Sequence, residues 1–163
     1  MSHVTDKEAI DMLNDEKIQD FNLWRMRNLD IKLDISEKDF SNKNFSGAYL
    51  NGVHCTNTNF SFCNLCKINF VQADLTKSNF EGANLADALL MYTEMSECSI
   101  INADLTRTNL MWANMQKADL TGSKTFRTIF VAANMQNMKL SNVDKNGVYL
   151  KYAKLEGTPW QTI

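Results

Sequence analysis

The residues of this 163-residue chain best suited to chemistry are His54, Cys55, Cys63 and Cys66, whose C-x-x-C spacing can bind zinc. Metal binding requires the four to converge. In the five-residue frame that runs through this region, Cys55 and Cys63 point inward, His54 takes a corner position, and Cys66 points out from another wall. The group reads as small core and surface thiols, and no metal is expected. A histidine base with a nucleophile and an orienting carboxylate has little material here, since the only other histidine is His3 in the leader. Glu94 and Glu97 fall on outer positions without a cleft, and no phosphate-cradling glycine loop is present. The expectation is no catalytic set, no cofactor and no enzyme.

The element that positions these residues is a repeat. Every fifth residue from Phe40 to Trp160 forms a series of 25, of which 22 are Phe, Leu, Met, Ile or Trp, and nothing inserted breaks the frame. Two residues earlier the occupant is usually small, as at Ala73, Ala83, Ala103 and Ala113. The position between is commonly Asn or Asp, as at Asn59, Asp74, Asn84 and Asp119. Neither a helix nor a flat strand has this period. It fits a solenoid in which each quintet sends one large and one small side chain inward and then turns, so that a narrow interior is filled without voids. Asn and Asp suit a tight bend, which explains how one proline and six glycines suffice. Such a filled interior leaves no room for a small-molecule substrate.

The stretches "ADLTKSNFEGANL" and "NADLTRTNLMWANMQKADLTGS" resemble the A-(D/N)-L-x-x units of pentapeptide repeat proteins. The resemblance covers roughly residues 35 to 160. It implies an all-β solenoid, a right-handed quadrilateral parallel β-helix of about six coils, in a family that is predominantly bacterial. Residues 1–34 are expected to form a helical and extended cap, and residues 35–163 the β-helix. Lys38 and Lys43 stand where a small inward residue belongs, so the first coil is expected to be frayed or covered.

Charge narrows the partners. Residues 1–37 carry nine Asp and Glu against five Lys and Arg, whereas residues 38–163 carry ten against twelve. A nearly neutral body argues against binding based on a strong field of either sign, and its cations form no dense stripe for nucleic acid. The first residues mix charge into their apolar positions, and no later stretch approaches the length of a membrane span. A cytoplasmic protein without membrane contact, its thiols reduced, is the default.

If four quintets make a coil, residues twenty apart share a column. One face then carries Val71, Met91, Met111 and Val131 in one outward column and Tyr92, Trp112 and Tyr152 in the next, flanked by Leu89, Ile129, Tyr49 and Tyr149. Such an apolar stripe commonly marks an interface with a protein partner or a second copy. Laddering of side chains along a sheet surface and coverage by the N-terminal segment remain open beside it. Another face holds two breaks in the frame, Thr125 and Lys145, with Lys124, Phe126 and Arg127 beside them, which suggests a displaced or protruding corner.

Both ends of a stack need covers. Thr5 and Glu8 form a capping-box pattern before a helical run, a second helical stretch holds Phe21 and Trp24, and Trp160 stands where it can plug the last coil. "FNLWRMRNLDIKLDIS" also resembles the Trp-containing leader of some family members. The C-terminal edge is open to pairing in a homodimer, as the family resemblance implies.

Two functions follow. The first is a non-enzymatic scaffold that binds a protein, or itself, through the apolar face. The second is implied by the resemblance alone: protection of DNA gyrase from quinolones by imitating duplex DNA. That mimicry needs negative surface in place of phosphates, and the repeats here carry a slight positive excess without protruding loops.

Overall fold

The computed structural model describes residues 6–161. Two helices open the chain, α1 (Asp6–Asn14) and α2 (Ile18–Arg27). Asp6 and Glu8 in the first turn of α1 suit the positive end of its dipole. The candidate cap Thr5, like His3, lies outside the described residues.

From Asp34 onward a single register governs the chain. Parallel bridges link residues twenty apart, beginning with Asp34–His54, Asp39–Asn59 and Asn44–Asn64 and ending with Asn134–Lys154. Four quintets thus complete one coil, and residues 34–153 make six coils with a partial turn after them. Nearly every quintet contributes one bridge residue, and N–H groups on either side of it donate to the coil above and to the coil below, for instance Asn59 N–H to Lys38 O at 2.9 Å and Phe60 N–H to Asn79 O at 2.7 Å.

Large inward side chains fill the axis. Phe40, Phe60 and Phe80 stack with centroids 5.9 and 5.3 Å apart, and Phe70 meets Phe60 edge-on at 5.6 Å. The small inward positions do more than avoid overfilling. Where they hold a hydroxyl or thiol, it donates to the carbonyl of a large position, most often in the coil above: Thr108 to Leu85 and Thr128 to Leu105, both at 2.7 Å, and Cys63 to Phe40 and Cys98 to Leu75, both at 2.9 Å, whereas Thr93 donates to Leu90 of its own coil at 2.7 Å. These buried polar atoms are therefore paired, which burial demands.

The corners differ from the sequence expectation. Every fifth residue from Glu37 to Gly157 has a left-handed backbone, with φ between 52 and 75°. The Asn and Asp positions lie three residues earlier, in the bridges. Their role is to accept with Oδ1 the N–H two residues on, as Asn59 does from Ser61 at 3.1 Å and Asp104 from Thr106 at 2.9 Å, which sets up the bend without occupying its strained position. That position takes Phe62, Lys77, Tyr92, Arg107 and Trp112 as readily as glycine. A left-handed residue costs roughly 1–2 kcal/mol without compensation. Here its N–H is tied to the coil below, as in Phe62 to Glu81 O at 2.8 Å.

Among the described residues the bridge series skips one place, between Lys124 and Asp144. Thr125 is buried and points its Oγ1 at Asp144 O, 2.6 Å away, so a side chain replaces the backbone donor.

The first coil has no coil above it, and the N-terminal segment supplies the missing partners. Glu16 Oε2 accepts the Asn44 amide, Asn22 Oδ1 accepts the Tyr49 amide, and Arg25 Nη2 donates to Asn51 O, each at 2.8 Å. Asn22 Nδ2 also donates to Gly47 O at 2.9 Å. Lys43, half-buried, turns its Nζ to the Asn14 carbonyl at 2.8 Å. Arg25 further binds the carbonyls of Asn28 and Ile31, and burial pulls its pKa below the usual value. Phe21 and Trp24 are buried in this junction, 5.9 Å apart. At the other end Trp160 is buried and meets Phe130 edge-on at 6.5 Å.

Candidate interaction face

The corner after Leu90 concentrates the exposed apolar surface of the coils. Met91 opens the turn half-buried, Tyr92 follows in the left-handed position at φ 60°, and one coil later Met111 and Trp112 repeat the arrangement at φ 62°. Backbone bonds of 3.1 Å from Tyr92 N–H to Met111 O and from Trp112 N–H to Val131 O fix the two aromatic residues in register. Their rings are parallel within 1°, with centroids 6.4 Å apart, and each residue is more than half exposed. Val71 and Val131 continue the Met column half-buried, so the turn column is unbroken from Val71 to Val131.

The bridge column beside it is interrupted. Tyr49, Leu89, Ile129 and Tyr149 alternate there with Asn69 and Asn109. Both asparagines spend Oδ1 on the following turn, accepting from Val71 at 3.0 Å and Met111 at 3.1 Å. The stripe is therefore a continuous corner with apolar side chains spaced along the adjoining wall. In the aromatic column Ala132 leaves a notch between Trp112 and Tyr152, and Tyr152 is 75% exposed with Lys151 Nζ 4.9 Å over its ring.

Three apolar residues of the cap went unnoticed in the sequence. Leu23 and Met26 are exposed on α2 and Leu29 in the turn after it, and Asn22 and Arg25 of the same helix hold Tyr49 and Asn51 at the top of this same face. Their spacing of three around the buried Phe21 and Trp24 was the available signal. Phe62 is also exposed, on a different corner, where its ring covers Gly82; a Cβ there would lie 2.6 Å from the ring.

The broken place in the bridge series brings Lys124, Thr125, Phe126 and Arg127 together with the coil that holds Lys145. The Arg127 guanidinium lies 5.2 Å over the exposed Phe126 ring, and Lys145 is exposed.

The thiols stay apart from chemistry. His54 sits in mid-wall, bridged to Asp34 and Asp74, and not at a corner as the spacing suggested, because the turn falls on Thr56 and Asn57. Cys55 and Cys63 are buried and Cys66 is half-buried at a turn. Among the described residues no cluster could hold a metal ion. Burial pushes the Cys63 thiol up to about 11 and Cys98 to about 12.

Several coil cations are held by carboxylates twenty residues away. Arg107 grips Asp87 at 2.6 and 2.7 Å, and that contact holds the Asp87 carboxyl below its usual range. Lys139 lies 3.3 Å from Asp119 and Lys124 3.7 Å from Asp104. Among the described residues no helix is long and apolar enough to cross a membrane.

The family described as Pentapeptide repeats matches the sequence in eight copies, over residues 36–61, 54–91 and 93–124. No curated protein matches. Among solved structures the chain is similar to HetL, a pentapeptide repeat protein involved in heterocyst differentiation regulation in Nostoc sp. strain PCC 7120, at 17% identity and a TM-score of 0.35, covering 77% of this chain and 88% of that one. A pentapeptide repeat protein of the Arabidopsis thaliana thylakoid lumen has 23% identity and a TM-score of 0.33, with 77% and 70% covered. QnrB1, a plasmid-mediated fluoroquinolone resistance protein, has 22% identity and a TM-score of 0.39, with 77% and 76% covered. The family assignment rests on the repeat match, which spans more than half of the sequence, and not on these likenesses. The chain belongs to the pentapeptide repeat family.

Proposed function

We propose that this chain is a non-enzymatic scaffold that binds another protein chain through the corner and wall running from Val71 and Leu89 to Tyr152. In this reading residues 1–34 cap a right-handed quadrilateral β-helix, residues 35–163 carry the binding face, and the protein works in a bacterial cytoplasm. The observation that carries the reading is the pair Tyr92 and Trp112, parallel and more than half exposed beside Met91 and Met111. Tyr, Trp and Met are the residues enriched where protein surfaces meet. Laddering alone accounts less well for the pair, because both rings project from the turn and not from the pleated wall where cross-strand pairs gain most.

The test is a Trp112→Glu, Met91→Lys double variant compared with the parent by light scattering and by capture of binding proteins from the native cell. Glu is tolerated at this backbone position, since Glu37 and Glu97 hold the same left-handed conformation. The variant is expected to lose self-association or capture while keeping its thermal midpoint. Equal mass and equal capture for the two proteins would remove the face from consideration. Gyrase protection, the other function the family brings to mind, draws no support from a repeat region with ten acidic and twelve basic residues. A supercoiling assay with a quinolone at molar excess of the protein separates the two: no protection is expected.

A further inference from the structure

We propose that the occupant of this face is a second copy of the chain, laid antiparallel across it about a twofold axis midway between the levels of Tyr92 and Trp112. The inference rests on the interaction reading above and names the partner that the face itself describes. Its first support is the distribution of bulk. Down the aromatic column the residues are Gly52, Gln72, Tyr92, Trp112, Ala132 and Tyr152, one per coil. A dyad at the middle of that column sets Tyr152, the most exposed of the large apolar residues at 75%, against the partner's Gly52. Nothing lies within 4 Å of where a Cβ on Gly52 would stand, so the site opposite has room for a ring. The same operation sets Ala132 against the partner's Gln72, and Tyr92 against the partner's Trp112. Bulk meets space at both ends and aromatic meets aromatic at the centre.

The second support is charge. Residues 1–37 carry nine acidic and five basic residues, whereas residues 138–163 carry Lys139, Lys145, Lys151 and Lys154 against Asp144 and Glu156. An antiparallel pair places the acidic cap of each copy beside the basic last coil of the other, twice over. Lys151 shares its column with Asn51, whose carbonyl is held by Arg25, and Asp30 is the acid that acts on Arg25. Lys151 and the partner's Asp30 thereby come to the same end of the interface. A parallel side-by-side pair would bring cap to cap and Tyr152 to Tyr152, with like charges together. A head-to-tail stack would leave the face bare and polymerise without closing.

Length favours the full register. Six coils at about 4.8 Å each give about 29 Å of contact, and any shift from the central dyad shortens it, away from the roughly 800 Å² per partner of a standard interface.

The experiment uses the whole chain with benzoylphenylalanine in place of Tyr152, irradiated at tens of micromolar, alongside mass measurement of the parent. Gly52 lies five coils from Tyr152, about 24 Å along the axis, so a crosslink between them cannot form within one copy. The expected results are a mass of twice 18.6 kDa and a crosslink from position 152 to the segment around Asn51–Val53 or to α2. Lys151→Glu is expected to weaken the pair by about threefold, and adding Asp30→Lys to restore it, as a rim ion pair does. A monomer at every concentration overturns the self-pairing and leaves the face open to a different protein. A dimer crosslinked from position 152 to its own counterpart overturns the antiparallel register. A dimer whose mass survives Trp112→Glu contradicts the interaction face as well.

Discussion

Asn22 accepts the Tyr49 amide through Oδ1 at 2.8 Å and donates through Nδ2 to Gly47 O at 2.9 Å, so one carboxamide does for the first coil what the backbone of a neighbouring coil does elsewhere. A side-chain amide carries the same donor and acceptor pair as a peptide group, which makes asparagine the natural substitute. Asn22→Ala leaves both backbone groups at the edge without this partner and is expected to cost about 1–2 kcal/mol. Hydrogen exchange reads it directly: the Tyr49 amide should lose protection while the Asn69 amide, bonded to Ala48 O at 2.9 Å, keeps its own.

Arg25 is the stronger tie. It is 2% exposed and reaches three carbonyls, those of Asn28, Ile31 and Asn51, at 3.1, 2.8 and 2.8 Å. Arg25→Met keeps most of the buried stem and removes the donors, and is expected to cost about 2–4 kcal/mol. The urea midpoint should fall, with residues 31–51 exchanging first. An unchanged midpoint means that α2 is held by Phe21 and Trp24 alone.

The inward hydroxyls give a third expectation. Thr108→Val preserves shape and deletes the donor to Leu85 O, a carbonyl that also accepts the Ala88 amide at 3.0 Å. A loss of about 1 kcal/mol is expected. Ala103→Leu, which forces extra methylenes into the same kind of position, should cost about 1–3 kcal/mol or more. No loss from Thr108→Val, or none from Ala103→Leu, would contradict a core in which the small positions serve both packing and hydrogen bonding.

Thiol titration tests the interior. Cys55, Cys63 and Cys98 are buried, and burial raises all three pKa values, to about 11 for Cys63 and about 12 for Cys98. For a thiol raised in the fold, the neutral form is the folded form. The stabilisation is complete below the ordinary value of 9.0 and is lost as pH rises through 11 to 12. At pH 8 a disulfide reagent should label Cys66 in the native protein and the other three only on unfolding. Rapid labelling of Cys98 at pH 8 would place it outside the core.

The repeat itself was legible because its period is set by side-chain volume: Phe60, Leu65 and Phe70 must fill the axis whatever surrounds them. The bend was not. Nothing in the types of Phe62, Tyr92 or Trp112 marks a left-handed backbone, since the coil below, and not the residue, compensates the strain. Arg25 was equally hidden, because its worth depends on carbonyls that only the folded first coil brings near. Thr125 stood out as a departure from the frame, but its bond to Asp144 O is a fact of register in space. For the candidate face, the types were readable and the continuity was not. Asn69 and Asn109 looked like ordinary members of the repeat, yet they confine the unbroken apolar surface to the corner.

The most direct measurement of the central claim, that the Tyr92 and Trp112 corner is where another chain binds, is fluorine NMR of protein labelled with 5-fluorotryptophan. The three tryptophans report from separate places: Trp24 and Trp160 are buried at the two ends, and Trp112 is 54% exposed. On association, by concentration or by added partner, the Trp112 resonance should shift and lose its sensitivity to exchange of water for deuterated water, while the other two stay in place. A complex that moves Trp24 or Trp160 and leaves Trp112 unchanged would show that the chain binds by its ends.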